Sequence, residues 1–211
     1  MADSHALVIG TTNVGKGREL AELVAPHGFV VRTLKDFAPL PDVAEDGDTF
    51  AANARKKASE YAQRLGAWVL ADDSGLEVAA LGGRPGVYSA RYAGEAADDA
   101  ANNAKLLAEL VNLPPAKRGA RYCCHVAVAD PRGEIRAESI DVCTGRIRTA
   151  PAGTNGFGYD PLFEVVELHR TFGELGPRVK AALSHRGRAM RAIVPQLRAL
   201  AEGGAWHGPR G

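Results

Sequence analysis

The chain has 211 residues, of which 45% are hydrophobic and 24% charged, and its formal net charge is +1. That length is enough for a buried core in one domain, or one domain with a second lobe, and the composition excludes disorder over most of the chain. The balanced charge excludes a dedicated duplex binder, which carries a basic stripe and a strongly positive total, so any polyanionic ligand should be small and no nucleic acid polymer is expected as a partner.

Met1 to His5 lacks a basic stretch leading into an apolar one, and no run of about 18 apolar residues follows, so neither an export signal nor a membrane span is expected. Ala6 to Gly10 reads as a strand, Gly15 to Val24 as a helix with Leu20, Leu23 and Val24 at helical spacing, and Phe29 to Leu34 as a second strand. A loop through Pro39, Pro41 and Gly47 leads to a helix from Asp48, in which Phe50, Ala54, Ala58, Tyr61 and Leu65 share one face and Asn53 and Lys57 another. Ala67 to Ala71 returns to strand, with an acidic turn, Asp72-Asp73-Ser74-Gly75, at its end.

After the glycine-rich loop Gly82 to Gly86, a helix is expected over Asp98 to Val111, stopped by Pro114 and Pro115. Ala120 to Ala129 and Glu134 to Arg148 flank Asp130-Pro-Arg-Gly133 as a hairpin, and Cys123, Cys124 and Cys143 lie in its apolar strands. Three cysteines without metal-ligand spacing read as reduced core residues, which suits a cytoplasmic location. A glycine-rich loop runs from Ala152 to Asp160, Thr171 with Glu174 fits a capping box, and Gly173 and Pro177 argue against a helix beyond it. The last helix should span Arg186 to Ala201 with a kink at Pro195, before a mobile tail, Gly203 to Gly211. The pattern of the whole is α/β, a mixed sheet flanked by helices, with the glycine-rich and acidic loops after strands, where open sheets bind ligands.

Gly10-Thr-Thr-Asn-Val-Gly15-Lys16 matches a phosphate-binding loop up to its lysine, but Gly17 stands where a Ser or Thr would hold magnesium. The segment can hold a polyphosphate through helix N–H groups and one ammonium, or be a glycine turn with a solvated lysine. Adjacent carboxylates Asp72 and Asp73 at a strand end are costly unless they bind a cation or cap a turn. Magnesium, with Glu45 as a third oxygen donor, is one reading and an Asx turn the other. Phe157 can stack on a nucleobase, or Phe157 and Tyr159 can anchor a tight loop. Lys180, His185 and Arg186 place cations near a helix start, where the dipole disfavours them, so an acceptor is expected unless they form a solvated basic face. A degenerate P-loop phosphotransferase and a non-catalytic nucleotide-binding module are the competing functions.

Six blocks in fixed order resemble the inosine triphosphate pyrophosphatase family from about Leu7 to Leu200: Thr11 to Lys16; Glu45 with Thr49-Phe50, Asn53-Ala54 and Lys57-Ala58; Ala71 to Gly75; Pro85 to Tyr92; Gly156 to Asp160; and Ser184-His185-Arg186. The resemblance implies a single domain over residues 1–211, elongated and two-lobed, with a substrate groove between the lobes, working as a homodimer. It implies hydrolysis of non-standard purine nucleoside triphosphates (ITP, dITP, XTP) to monophosphate and pyrophosphate with Mg2+. Thr11, Thr12, Asn13, Val14, Gly15, Lys16 and Lys57 would then hold the triphosphate. Asp73 would accept a proton and bind the metal with Asp72 and Glu45, and Ser74 would touch substrate. Phe157, flanked by Gly158 and Tyr159, would stack on the purine, Asp160 and Lys180 would orient base and sugar, and His185 and Arg186 would read the 6-oxo edge. Thr12 replaces a glycine common in the family, Ala44 a second acid found in some members, and the Tyr88 to Tyr92 block has no derived role.

Overall fold

The computed structural model describes residues 5–204 and 206. Its strands are β1 (Ala6–Ile9), β2 (Val30–Thr33), β3 (Val69–Val78), β4 (Gly119–Ala129), β5 (Ile135–Ile147), β6 (Phe163–Val165) and β7 (Arg170–Thr171). The α-helices are α1 (Val14–Val24), α2 (Phe50–Leu65), α3 (Asp99–Glu109), α4 (Pro177–Leu183) and α5 (His185–Glu202). The seven strands form one sheet in the order β2-β1-β3-β4-β5-β6-β7. β1 runs parallel to β2 and β3, whereas β6 is antiparallel to β5 and β7. The sheet is therefore mixed, as the alternation of strands and helices followed by a hairpin foretells.

The chain divides into two compact units. Unit 1 takes the described parts of Met1–Asp73, Cys124–Asp141 and Arg186–Gly211, and unit 2 takes Ser74–Cys123 and Val142–His185. In unit 1 the two-residue period of the strands sorts side chains onto two faces. Leu7, Ile9, Trp68, Leu70, Cys124 and Val126 pack with Leu20 and Val24 of α1 and with Ala189, Met190, Ile193 and Leu197 of α5. Val8, Val69, Ala71, Ala127 and Ala129 pack with Ala54, Ala58, Tyr61 and Ala62 of α2. Each fully buried leucine or isoleucine here is worth about 1.5–3 kcal/mol of burial.

Unit 2 is built around aromatics. Tyr122, Phe163 and Phe172 pack together, with Phe163 and Phe172 centroids 5.1 Å apart, among Leu76, Leu106, Leu110 and Ile147. The helices begin where their caps dictate: Thr49 Oγ1 accepts the Ala52 N–H at 3.1 Å, and Asp98 Oδ1 the Ala101 N–H at 2.8 Å. α2 ends on Gly66 at φ 57, a left-handed position suited to glycine.

Three features depart from the sequence reading. β3 does not stop at Ala71 but runs through Asp72-Asp73-Ser74-Gly75 to Val78, so the acidic segment is strand rather than turn. α4 begins at Pro177, because proline at the first helical position forfeits only an N–H that has no helical partner anyway. β6 and β7, of three and two residues, are too short to show a period. The last helix, α5, runs through Pro195 from His185 to Glu202, within one residue of the expected Arg186 to Ala201 at either end. The capping box at Thr171 and Glu174 is present, on a single turn of 3-10 helix. Of the expected tail, Gly203, Gly204 and Trp206 are described, and Trp206 stacks on Trp68 with centroids 4.2 Å apart; residues 205 and 207–211 lie outside the described residues. All three cysteines are buried and none forms a disulfide among the described residues. No helix among the described residues is long and apolar enough to cross a membrane.

Candidate active site

Unit 1 gathers the charged candidates at the carboxyl ends of β1 and the parallel part of β3. A Cβ on Gly10 would sit 2.7 Å from Val69 Cγ1, so the exit from β1 requires glycine. Asn13 Oδ1 then accepts the Lys16 N–H at 2.9 Å and caps α1, while Thr11 Oγ1 accepts the Asn13 N–H at 3.2 Å. Thr12 and Val14 are exposed, and Gly15 is half-buried in the first turn. The positive end of the helix dipole and the Lys16 ammonium thus share one place.

The period of β3 sends its two aspartates to opposite faces. Asp72 joins the α1 and α5 face, where its Oδ2 lies 3.3 Å from both Nε and Nη2 of Arg186 and 3.8 Å from Lys16 Nζ. Arg186 in turn donates through Nη1 to Glu19 on α1. Asp73 joins the α2 face. Its Oδ1 lies 3.6 Å from Lys57 Nζ and 4.0 Å from Lys16 Nζ, and its Oδ2 accepts from Asn53 Nδ2 at 3.0 Å. Lys57 Nζ also donates to Glu45 Oε1 at 2.7 Å. The continuation of the strand through two carboxylates is explained by these cations, which meet each acid on its own face.

Burial pushes the Asp73 pKa up, and the opposing pull of Lys57, Lys16 and the Asn53 hydrogen bond does not cancel it. Burial works against the charge of Lys57, yet Asp73, Asp72 and Glu45 outweigh it and hold its pKa above the ordinary value. Glu45 is also penalised by burial, but Lys57 and Lys16 carry it below its usual range. Replacing a buried ionic set by apolar side chains is often neutral or stabilising, so stability does not account for this cluster.

Among the described residues no three His, Cys, Asp or Glu side chains form a ligand cage. Magnesium does not need one, since it takes one or two carboxylates, several waters and phosphate oxygens. Asp73 and Glu45 already share one ammonium, so two hard oxygen donors converge on a single cation, which fits that metal. Asp72 is committed to Arg186 and Lys16.

The aromatic candidates lie in unit 2. Gly156 has φ 78, and a Cβ there would fall 1.9 Å from Asp160 Oδ2, so this glycine lets the loop close over its own carboxylate. That oxygen accepts the Phe157 N–H at 2.9 Å and the Lys180 ammonium at 2.6 Å. Lys180 Nζ also sits 4.7 Å from the centroid of the half-buried Phe157 ring. Tyr159 is a core residue whose hydroxyl donates to Ser89 O at 2.8 Å. His185 is buried with its ring stacked on Tyr122 at 4.5 Å, and Ser74 is half-buried on β3.

The profile of the Ham1 family matches residues 7–196. The chain belongs to the Ham1 family. A dITP/XTP pyrophosphatase of Rhodopirellula baltica is 52% identical over 93% of this chain and 94% of its own, and one of Geobacillus kaustophilus is 50% identical over 93% and 96%. A solved HAM1 protein of Coxiella burnetii superposes with a TM-score of 0.82 at 38% identity, covering 92% of this chain and 98% of that one. These are the relatives that the six sequence blocks point to.

Two members of the charged cluster, Asn53 and Glu19, are given no site role by the sequence of this Ham1 chain. Asn53 was detectable, because its four-residue separation from Lys57 puts both on one face of α2. Glu19 had no such signal, since its partner Arg186 is 167 residues away.

Proposed function

We propose that this Ham1 protein hydrolyses non-standard purine nucleoside triphosphates, ITP, dITP and XTP, to the nucleoside monophosphate and pyrophosphate. The observation that carries the reading is the buried Asp73 carboxylate in contact distance of Lys57 and of Lys16 at the start of α1. A proton acceptor and two polyphosphate-binding cations are what the reaction needs. The relatives named dITP/XTP pyrophosphatase, about half identical over nearly the whole chain, supply the substrate class.

In this mechanism Thr11, Thr12, Asn13, Val14, Gly15 and Lys16 hold the triphosphate together with Lys57, using backbone N–H groups and two ammoniums. Asp73 takes a proton from water as the water oxygen attacks the α-phosphorus; the bond from that phosphorus to the bridging oxygen breaks, and pyrophosphate leaves with the electron pair. A carboxylate whose proton affinity is raised by burial suits this task better than an ordinary aspartate. Asp73 and Glu45 would hold Mg2+, which supplies positive charge to the phosphate oxygens when bound, while Asp72 stays with Arg186 and Lys16. Ser74 contacts the substrate beside Asp73.

Phe157 stacks on the purine beside Gly158 and Tyr159, and Asp160 and Lys180 fix base and sugar. His185 and Arg186 favour a 6-oxo edge, because a donor-only guanidinium is satisfied by a carbonyl and not by adenine's amino group. The same resemblance carries a homodimer, and buried cysteines outside any disulfide suit the cytoplasm.

The test is to incubate purified protein with ITP, XTP, dITP, GTP and ATP, with and without magnesium, and to identify the products. Monophosphate and pyrophosphate from the first three, in magnesium only, are expected. Diphosphate and orthophosphate, or phosphate transfer to an acceptor, would overturn the proposal.

A further inference from the structure

The loop that presents Phe157 is held from outside by the first turn of α3. Asp99 Oδ2 accepts the Gly158 N–H at 2.6 Å, and Asn103 Nδ2 donates to the Gly158 carbonyl at 2.8 Å. Both polar groups of one residue, the one directly after Phe157, are therefore taken by two side chains a helical turn apart. Asn103 Nδ2 also reaches the Asp99 carbonyl at 2.7 Å, which ties the two clamping residues together. Gly158 has φ 62, a conformation with few alternatives for other residues, so the peptide it anchors is fixed in pitch.

A purely structural origin for these contacts is weak. Asp99 is exposed and Asn103 half-buried, so neither fills the core. Asn103 Oδ1 is buried and has no hydrogen-bond partner among the described residues, which costs stability. Asparagine is also a poorer helix former than alanine or leucine. Its side chain is kept at a cost to the fold, as residues that position a site often are.

The Pro85 to Tyr92 block, left without a role by the sequence, frames the same loop. Ser89 Oγ accepts the Leu76 N–H at 2.9 Å and donates to the Gly86 carbonyl, and the Ser89 carbonyl receives the Tyr159 hydroxyl. Asn102, next to the clamp, donates to Ala90 O at 3.0 Å and accepts the Ala93 N–H at 2.8 Å. The block therefore seats α3, and α3 seats the aromatic loop.

We propose that Asp99 and Asn103 are positioning residues for purine recognition, pinning Gly158 on both sides and so setting the attitude of the Phe157 ring. The proposal rests on the reading that Phe157 stacks on the base. Ring attitude affects ground-state and transition-state binding alike, so the loss should appear in KM rather than kcat.

The experiment compares Asp99→Ala, Asn103→Leu and Phe157→Ala with the parent protein in steady-state ITP hydrolysis and thermal unfolding. Losing one such hydrogen bond should raise KM for ITP about three- to tenfold, with kcat within about twofold. Asn103→Leu should at the same time keep or raise the unfolding temperature, which a structural role would not permit. Parental KM in both clamp variants, or a fall in kcat at constant KM, overturns the proposal. If Phe157→Ala itself keeps the parental KM, the stacking reading fails; if it raises KM while the clamp variants do not, only the clamp fails.

Discussion

The acidic cluster of unit 1 and the aromatic loop of unit 2 are both buried polar sites, but they are held by opposite means. Asp72 and Asp73 are neighbours in sequence whose partners come from far away, Arg186 being 114 residues distant. The loop from Gly156 to Asp160 closes largely on itself, with the Asp160 carboxylate accepting from a backbone N–H three residues back. Assembly from remote elements buries a carboxylate, Asp73, and that burial raises its proton affinity against the pull of its cations, a state useful for chemistry and costly for the fold. Closure on a local N–H and one partner, Lys180, yields a rigid platform. The same exchange, aspartate to asparagine, should therefore have opposite consequences in the two places.

Asp73→Asn carries the largest expected effect. Removing a general base lowers kcat by about 10²–10⁴. Stability should move the other way. The folded pKa of Asp73 is above its unfolded value, so ionisation costs the folded state. That cost is absent below the unfolded pKa and grows as pH rises through the folded one. In chelator, Asp73→Asn and the parent should unfold at similar temperatures in acid, with the variant the more stable at neutral pH. A variant less stable than the parent at neutral pH would break the contrast. Asp160→Asn should do the reverse. It removes the negative charge 2.6 Å from the Lys180 ammonium, which is 7% exposed. Breaking such a pair costs about 3–5 kcal/mol, readable in denaturant unfolding.

Arg186→Ala comes next, and it separates two roles for one side chain. If Arg186 reads the 6-oxo edge, the preference for ITP over ATP collapses. If its use is to hold Asp72, both substrates lose kcat in proportion and the ratio survives. The buried Asp72 carboxylate then loses the guanidinium 3.3 Å away, so a fall in unfolding temperature is expected either way. Rates for both nucleotides in one preparation decide between them.

What the sequence disclosed follows from the range of the forces involved. The starts of α1, α2 and α3 were legible because their caps, Asn13, Thr49 and Asp98, act within three residues of themselves. The motif blocks were legible for the same reason. The course of β3 was not, because whether Asp72 and Asp73 end a strand depends on Arg186 and Lys57, which only the fold brings to it. Pro177 was misread as a breaker, since the rule against proline holds inside a helix and not at its first position. The clamp on Gly158 was hidden likewise: nothing local marks Asp99 as the acceptor for an N–H 59 residues away.

The mildest change tests whether unit 1 really meets a polyphosphate at the start of α1. Asn13 caps the helix through Oδ1, and alanine there should cost about 1 kcal/mol of stability. Aspartate caps as well as asparagine, so Asn13→Asp should unfold at the parental temperature or slightly above it, helped by the helix dipole. It would, however, set a negative charge where phosphate oxygens are expected. The dissociation constant for a non-hydrolysable ITP analogue, measured calorimetrically, should then rise in Asn13→Asp more than in Asn13→Ala, although the alanine variant is the less stable. Equal affinities in the two would mean that the triphosphate does not reach this helix end, and that Lys16 serves only to neutralise Asp72 and Asp73.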